Sequence, residues 1–361
     1  FIVYNEITYP NFINILNKLG VQSQLTRMGF SVKSEKDNLE YAGHSLDGLF
    51  AQRSNLIRPS FLKILYGMAR FNSKARKDLP HLIPEVTLGE YLYSNNYSKE
   101  FIKNYIIPIG AAIWSTVPDD MLEISAIFFI RFFDNHGLLQ IIDRPNWWVI
   151  KGGSKKYIEK MIPGFKDSIK ISSPVHKVKR SAGKVEIIFG EHSQSGDIFD
   201  KVIFSNHSDQ ALRVLENPTD QENEILGSIK YQTNEAILHN DYSILPNRRR
   251  AWSSWNYLLD REGKKAVSLT YNMNILQSLK SSRTYCVSLN SKDLIDSDKI
   301  IKNLKYEHPL FTVSTMDAQK RKNEISGKNN TFYCGAYWRN GFHEDGVVSA
   351  LDVCKSFGES L

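Results

Sequence analysis

Cysteine is scarce in this chain. Among 361 residues there are three, Cys286, Cys334 and Cys354. They form no CxxC pair, which argues against a disulfide framework or a zinc site and fits a reducing compartment. Metal-type histidine spacing is missing as well: the nine histidines include no HxxxH or HExxH, so no metal site is expected. Long apolar runs are absent. The most apolar helical stretch, 121–133, is too short to span a bilayer and contains Glu123 and Arg131. There is no internal repeat and no low-complexity segment. The formal charge of +7 permits weak attraction to an anionic lipid surface, and no nucleic-acid partner is expected.

What is present is ordinary for a globular protein: 42% hydrophobic and 24% charged residues, with length enough for a large core and two domains. The chain opens on Phe1 as a strand and turn, with no signal peptide, which reads as an N-terminal truncation. A cytoplasmic protein is expected, with a surface able to rest against the inner face of a membrane. The sequence leaves the oligomeric state open.

The most informative stretch is 331–357, TFYCGAYWRNGFHEDGVVSALDVCKSF. Residues 331–338, aromatic and small, predict a buried strand. Residues 339–346 predict a turn carrying Gly341, His343, Glu344, Asp345 and Gly346. Apolar Val347, Val348, Leu351, Val353 and Cys354 predict a helix over 347–357. A strand feeding a helix through a glycine-bearing turn aims free N–H groups and the positive helix end at an electron-rich ligand group. The same pattern also serves as a plain packing unit. A second such unit lies at 147–160, with a β-prone run, then Gly152-Gly153-Ser154, then a helix from Lys155.

Elsewhere, Pro10 opens a helix over 10–19 that Gly20 closes. Residues 1–4 predict a short strand. Hairpins are predicted at 25–33 with 39–41, and at 175–179 with 184–189 around Ala182-Gly183. From 58 to 144 the character is helical, with helices at 60–71, 99–105 and 121–133, a Thr87–Glu90 capping box, and a small-residue interruption at 110–118. A strand at 201–205 leads to a helix at 208–215. Strands at 235–239, 251–257, 266–271 and 285–289 suggest one antiparallel sheet. Residues 291–305 and 315–323 predict helices. This order implies an α/β fold with an α+β insert: a nucleotide-type domain in discontinuous pieces, 1–24, 147–220 and 325–361, and a substrate domain of helices plus an antiparallel sheet, 25–146 and 221–324.

Five segments carry a resemblance: FIVYNEITYPNF (1–12), WWVIKGGSKKYIEKM (147–161), SNHSDQALRVL (205–215), YQTNEAILHNDYSILPNRRRAWSSWNY (231–257) and CGAYWRNGFHEDG (334–346). Together, and in this order, the chain resembles the flavin-containing amine oxidoreductase superfamily, in its bacterial branch of predicted NAD/FAD-binding proteins. The resemblance implies a Rossmann-like FAD-binding domain, FAD as cofactor, and removal of a hydride from a substrate C–H. The family's GxGxxG pyrophosphate turn is absent from this sequence, so the chain as given is expected to bind FAD poorly. Ala336 stands where many relatives carry an acidic residue, a role Glu344 or Asp345 would assume. The resemblance places Val175 against the adenine. It places Gly335, Asp345, Gly346 and Val347 along the ribityl chain and pyrimidine edge, Gly152 and Gly153 near the ring or substrate channel, and Tyr4 and Asn5 on the flavin's other side. Tyr337 and Trp338 would wall the substrate cavity.

Individual residues admit two readings. His343 with Glu344 is the candidate catalytic proton-transfer pair, or a solvated turn. His239 and Asp241 could share a proton, or be a satisfied structural pair. His207 is a ligand-side or a capping residue. Trp252, Trp255 and Tyr257 form an amine cage or a core stripe, with Trp255 the candidate for the substrate cavity. Relatives of this branch often accompany cyclopropane-fatty-acid-synthase-like methyltransferases, which implies a small-molecule or lipid substrate, a fatty-acyl chain that would be desaturated. The alternatives are a redox-neutral flavin-dependent isomerase or mutase, and a non-catalytic flavin- or lipid-binding protein.

Overall fold

The structure, a computed structural model, describes residues 3–114, 120–140, 145–181, 183–190, 195–259 and 268–361. Among these residues there are four sheets. The largest has seven strands in the order Ile300–Pro309, Tyr231–His239, Cys286–Leu289, Leu269–Asn272, Trp255–Leu259, Phe30–Ser34 and Leu39–Ala42. Its pairings are antiparallel except for Trp255–Leu259 against Phe30–Ser34. A small antiparallel sheet places Trp147–Ile150 between Tyr4–Asn5 and Ser23–Thr26. Val202–Phe204 and Thr331–Tyr333 run parallel. Val175–Ser181, Lys184–Phe189 and Asp197–Phe199 form a meander.

Helices pack on the large sheet. Pro59 sits at the start of Pro59–Asp78, where a missing N–H costs nothing. Leu88–Ser94 begins with the Thr87–Glu90 capping box, both of whose reciprocal hydrogen bonds form. Lys99–Phe101 continues through a π-turn, Ile102–Ile106, into Ile107–Trp114. These elements and Ala126–Asn135 bury Phe61, Phe71, Phe101, Phe129 and Phe133 against Val32, Tyr41 and Leu269 of the sheet. Full burial of each such ring contributes about 1.5–3 kcal/mol.

Several predicted elements differ from those found. Residues 25–33 are two strands, not one. Ser23–Thr26 and Phe30–Ser34 belong to different sheets, and the link Arg27–Met28–Gly29 crosses between them. Gly110 and its neighbours lie inside Ile107–Trp114 rather than interrupting helices; the rest of that stretch, 115–118, lies outside the described residues. The sheet is mixed, not purely antiparallel, and its strand predicted at 251–257 begins only at Trp255. Residues 266–267, within another predicted strand, and 1–2, 141–144 and Ala182 also lie outside the described residues. Part of the helix predicted at 291–305 is the edge strand Ile300–Pro309. Its ten residues are mostly exposed and polar on both faces, so side-chain periodicity is weak, and pairing with Tyr231–His239 decides the outcome. Most consequentially, the C-terminal helix is His343–Lys355. The segment His343 to Gly346 is its first turn, not a loop, because Asp345 Oδ2 accepts a hydrogen bond from the Phe342 N–H at 2.9 Å.

Candidate functional site

The C-terminal helix faces a cavity of about 1470 Å³ with one stripe of residues: His343, Gly346, Val347, Ala350, Leu351 and Cys354. Their spacing of three and four is that of a single helical face. Small residues keep the helix start open. A Cβ on Gly346 would come no closer than 4.0 Å to any neighbour, and that neighbour is Ala336, itself in the wall. Asn340, Gly341 and Phe342 line the approach to the first turn.

A second part of the lining is apolar. Helix residues Met68, Tyr105, Ile109 and Ile113 meet Phe30, Tyr41, Trp255 and Tyr271 from the large sheet. Trp255 and Tyr271 contact edge to face, with centroids 5.3 Å apart. The buried Trp255 indole N–H has no partner among the described residues, an uncompensated donor of the kind that a ligand satisfies. His136, the residue that caps Ala126–Asn135, also lines the cavity. Its ring stacks on Phe132 at 3.9 Å and leans on Phe342. His136 Nδ1 lies 3.0 Å from the Phe132 carbonyl oxygen. A carbonyl only accepts, so Nδ1 carries the proton and Nε2 is a bare acceptor. Burial pushes the imidazole pKa down to about 4, opposed by that same hydrogen bond.

Charge is almost missing from the lining. Among the described residues that line the cavity there is no aspartate, glutamate or lysine, and the one permanently charged side chain is Arg27. No group of His, Cys, Asp or Glu among the described residues is arranged to hold a metal.

The site residues expected from sequence divide into two groups. His343, Gly346, Val347, Trp252 and Trp255 line the cavity. The others do not, and most have other structural work. Glu344 gives both oxygens to the first turn of Pro10–Lys18: the Asn11 N–H at 3.1 Å, the Asn11 side-chain amide at 2.6 Å and the Phe12 N–H at 2.8 Å. His343 Nε2 instead lies 3.0 Å from the Tyr157 hydroxyl, its ring packs on Phe12 at 4.5 Å, and burial pushes its pKa down to about 4. The two side chains thus diverge, and the geometry favours a helix cap over a proton-transfer pair. Asp345 caps its own helix, and burial pushes its pKa up to about 6 against that hydrogen bond.

Gly335 stays tight for packing, since an added Cβ would fall 2.4 Å from the Tyr337 ring. Gly152 and Gly153 adopt φ of +84° and +85° in the turn before Lys155–Met161. Tyr4 hydrogen-bonds Ser23, and Asn5 closes its own turn through the N–H groups of Ile7 and Thr8. Val175 begins the outer meander and is 38% exposed. Tyr337 and Trp338 are buried in a core with Val178, Phe204 and Tyr333. His239 and Asp241 are satisfied structurally: His239 Nε2 meets Ser288 Oγ at 2.7 Å, and Asp241 accepts from the Ser243 N–H at 3.1 Å. Sequence reading passed over Arg27, His44, His136 and Tyr271. They sit in separate elements with no shared motif, and only the fold brings them to one cavity.

No family model matches the chain, and no curated protein matches it by sequence. Solved structures do. The "CLA-producing fatty acid isomerase from P. acnes" superposes with a TM-score of 0.69 at 13% identity, covering 99% of this chain and 86% of that one. Wild-type putrescine oxidase bound to putrescine gives 0.64 at 12%, covering 98% and 88%. Reduced UDP-galactopyranose mutase gives 0.63 at 9%, covering 98% and 84%. The chain therefore shares the α/β fold of these enzymes.

Proposed function

We propose that the chain is an FAD-dependent oxidoreductase whose substrate is an apolar chain, such as a fatty-acyl group or lipid. The observation that carries this reading is one cavity lined both by the start of the C-terminal helix and by apolar side chains, with no carboxylate among the described lining residues. The residues present suit the ring end of FAD. The open first turn at Gly346, the small Ala336, and Asn340 to Phe342 would hold it, with the helix's positive end toward the ring. The phosphate-binding GxGxxG is not in this sequence, so the diphosphate end has no such cradle in it. When bound, FAD supplies the hydride acceptor.

The chain's own residues do the rest. Tyr105, Ile109, Trp255 and Tyr271 enclose the substrate and exclude water. His136 Nε2, uncharged at neutral pH, accepts a hydrogen bond or a proton from a group beside Phe342. A redox-neutral reading has its own support in two proteins of this fold, an isomerase and a mutase. In that reading a bound flavin would supply redox chemistry with no net change in its own oxidation state.

Absorption spectra of the purified protein supplied with FAD, before and after anaerobic addition of a phospholipid extract, test the proposal. Lasting bleaching of the flavin bands is expected for an oxidoreductase. Product formation without bleaching would move the reading to redox-neutral chemistry. Bound FAD with neither bleaching nor product formation would overturn both.

A further inference from the structure

The one permanently charged side chain among the described lining residues sits where the cavity meets solvent. Arg27 and His44 both line it and both are exposed. Arg27 belongs to the link that joins the small sheet to the large one. It has no hydrogen-bond or ion-pair partner among the described residues, unlike Arg53 and Arg250, which both pair with Asp47. His44 and Ser253 stand beside this link. His44 Nδ1 lies 3.1 Å from Ser253 Oγ, and a Cβ built on Gly29 would lie 3.2 Å from His44 Cβ and 3.4 Å from Ser253 Oγ. Arg27 is near enough to help hold the His44 pKa below its ordinary value, after burial and against Asp47.

An apolar cavity whose described lining holds one unpaired guanidinium and no carboxylate is polarised to accept an anion and to reject an ammonium. An amine would meet no counter-charge there and would face repulsion from Arg27. A chain with an anionic end meets the reverse. We propose that Arg27, with His44 and Ser253 beside it, binds the anionic head of a long-chain amphiphile, a carboxylate or a phosphate monoester, while the chain lies along the wall of Tyr41, Ile109 and Trp255. This rests on the reading of the cavity as a substrate site.

Trp147, Trp252 and Trp255 line the cavity, so tryptophan fluorescence of the full chain reads binding directly. The probes are oleate, methyl oleate, oleylamine and oleoyl lysophosphatidate, all below their micellar limits. Oleate is expected to bind more tightly than oleylamine and methyl oleate. Arg27→Met weakens oleate about tenfold or more and leaves methyl oleate unchanged, while Arg27→Lys falls between. Whichever of oleate and lysophosphatidate binds tighter and is more sensitive to Arg27 identifies the head group. Oleylamine binding as tightly as oleate, or oleate indifferent to Arg27→Met, overturns the proposal. Flavin binding, followed by absorption in the same variants, separates the two readings. Arg27-dependent oleate binding without flavin keeps the anchor and loses the flavoenzyme; flavin binding with no role for Arg27 does the opposite.

Discussion

At the scale of single residues, Asp345 shows how a cap and a buried charge oppose each other. Its carboxylate caps the C-terminal helix, yet it is only 7% exposed. Burial raises its pKa from 3.8 to about 6 in the folded protein. Between those values the folded state binds more protons than the unfolded one, so stability from this group falls as pH rises. The penalty is complete above the folded pKa and amounts to about 2–3 kcal/mol at neutral pH. Asn in its place keeps an acceptor for the Phe342 N–H and carries no charge. Asp345→Asn is therefore expected to be more stable than the parent at pH 7 by about that amount, with the advantage gone near pH 4. Urea unfolding at the two pH values checks it; an equal difference at both would contradict the assignment. Glu344 differs, because its oxygens answer three donors on another helix. Glu344→Ala leaves two backbone N–H groups of that helix without their acceptor and should lose about 2–4 kcal/mol in the same experiment.

Elements were legible from the sequence where local chemistry fixed them. Pro10 and Gly20 bracketed a helix, and Thr87 with Glu90 marked a start, because such signals act within one turn. Ile300–Pro309 was illegible because an exposed edge strand has little periodicity and its partner lies about seventy residues earlier in the chain. The candidate site was legible along the C-terminal helix, where His343, Gly346 and Val347 share a motif, and at Trp255 in the aromatic stripe. Arg27, His44 and His136 required the fold. Gly67, midway along Pro59–Asp78, makes the same point energetically. Helix propensity alone predicts that Gly67→Ala gains about 1 kcal/mol. The added Cβ would lie 2.4 Å from Phe101 Cγ, at the base of a ring that is 0% exposed. That ring cannot swing away, so overpacking of about 1–3 kcal/mol outweighs the propensity. The expected outcome is a net loss of stability, read as a lower midpoint in thermal unfolding.

For the whole molecule, the volume of the cavity limits what it can hold. A pocket for one drug-sized ligand measures roughly 300–1,000 Å³, and this one reaches about 1470 Å³. Its two walls also differ in kind. The C-terminal helix offers a dipole and small residues, whereas the helices on the large sheet offer Met68, Tyr105, Ile109 and Ile113. Two ligands of different chemistry therefore fit side by side better than one ligand fits across both. If so, flavin and an alkyl chain bind together and not in competition. Saturating riboflavin, which presents the ring without the diphosphate, should leave oleate affinity within about twofold of its value without flavin. Ile109→Trp, which fills the apolar side, should weaken oleate more than octanoate and leave riboflavin untouched. Gly346→Leu, which fills the helix side, should do the reverse. Mutual exclusion of riboflavin and oleate, or loss of both ligands in both variants, would mean that the cavity is one site, and the division between a flavin end and a substrate end would fall.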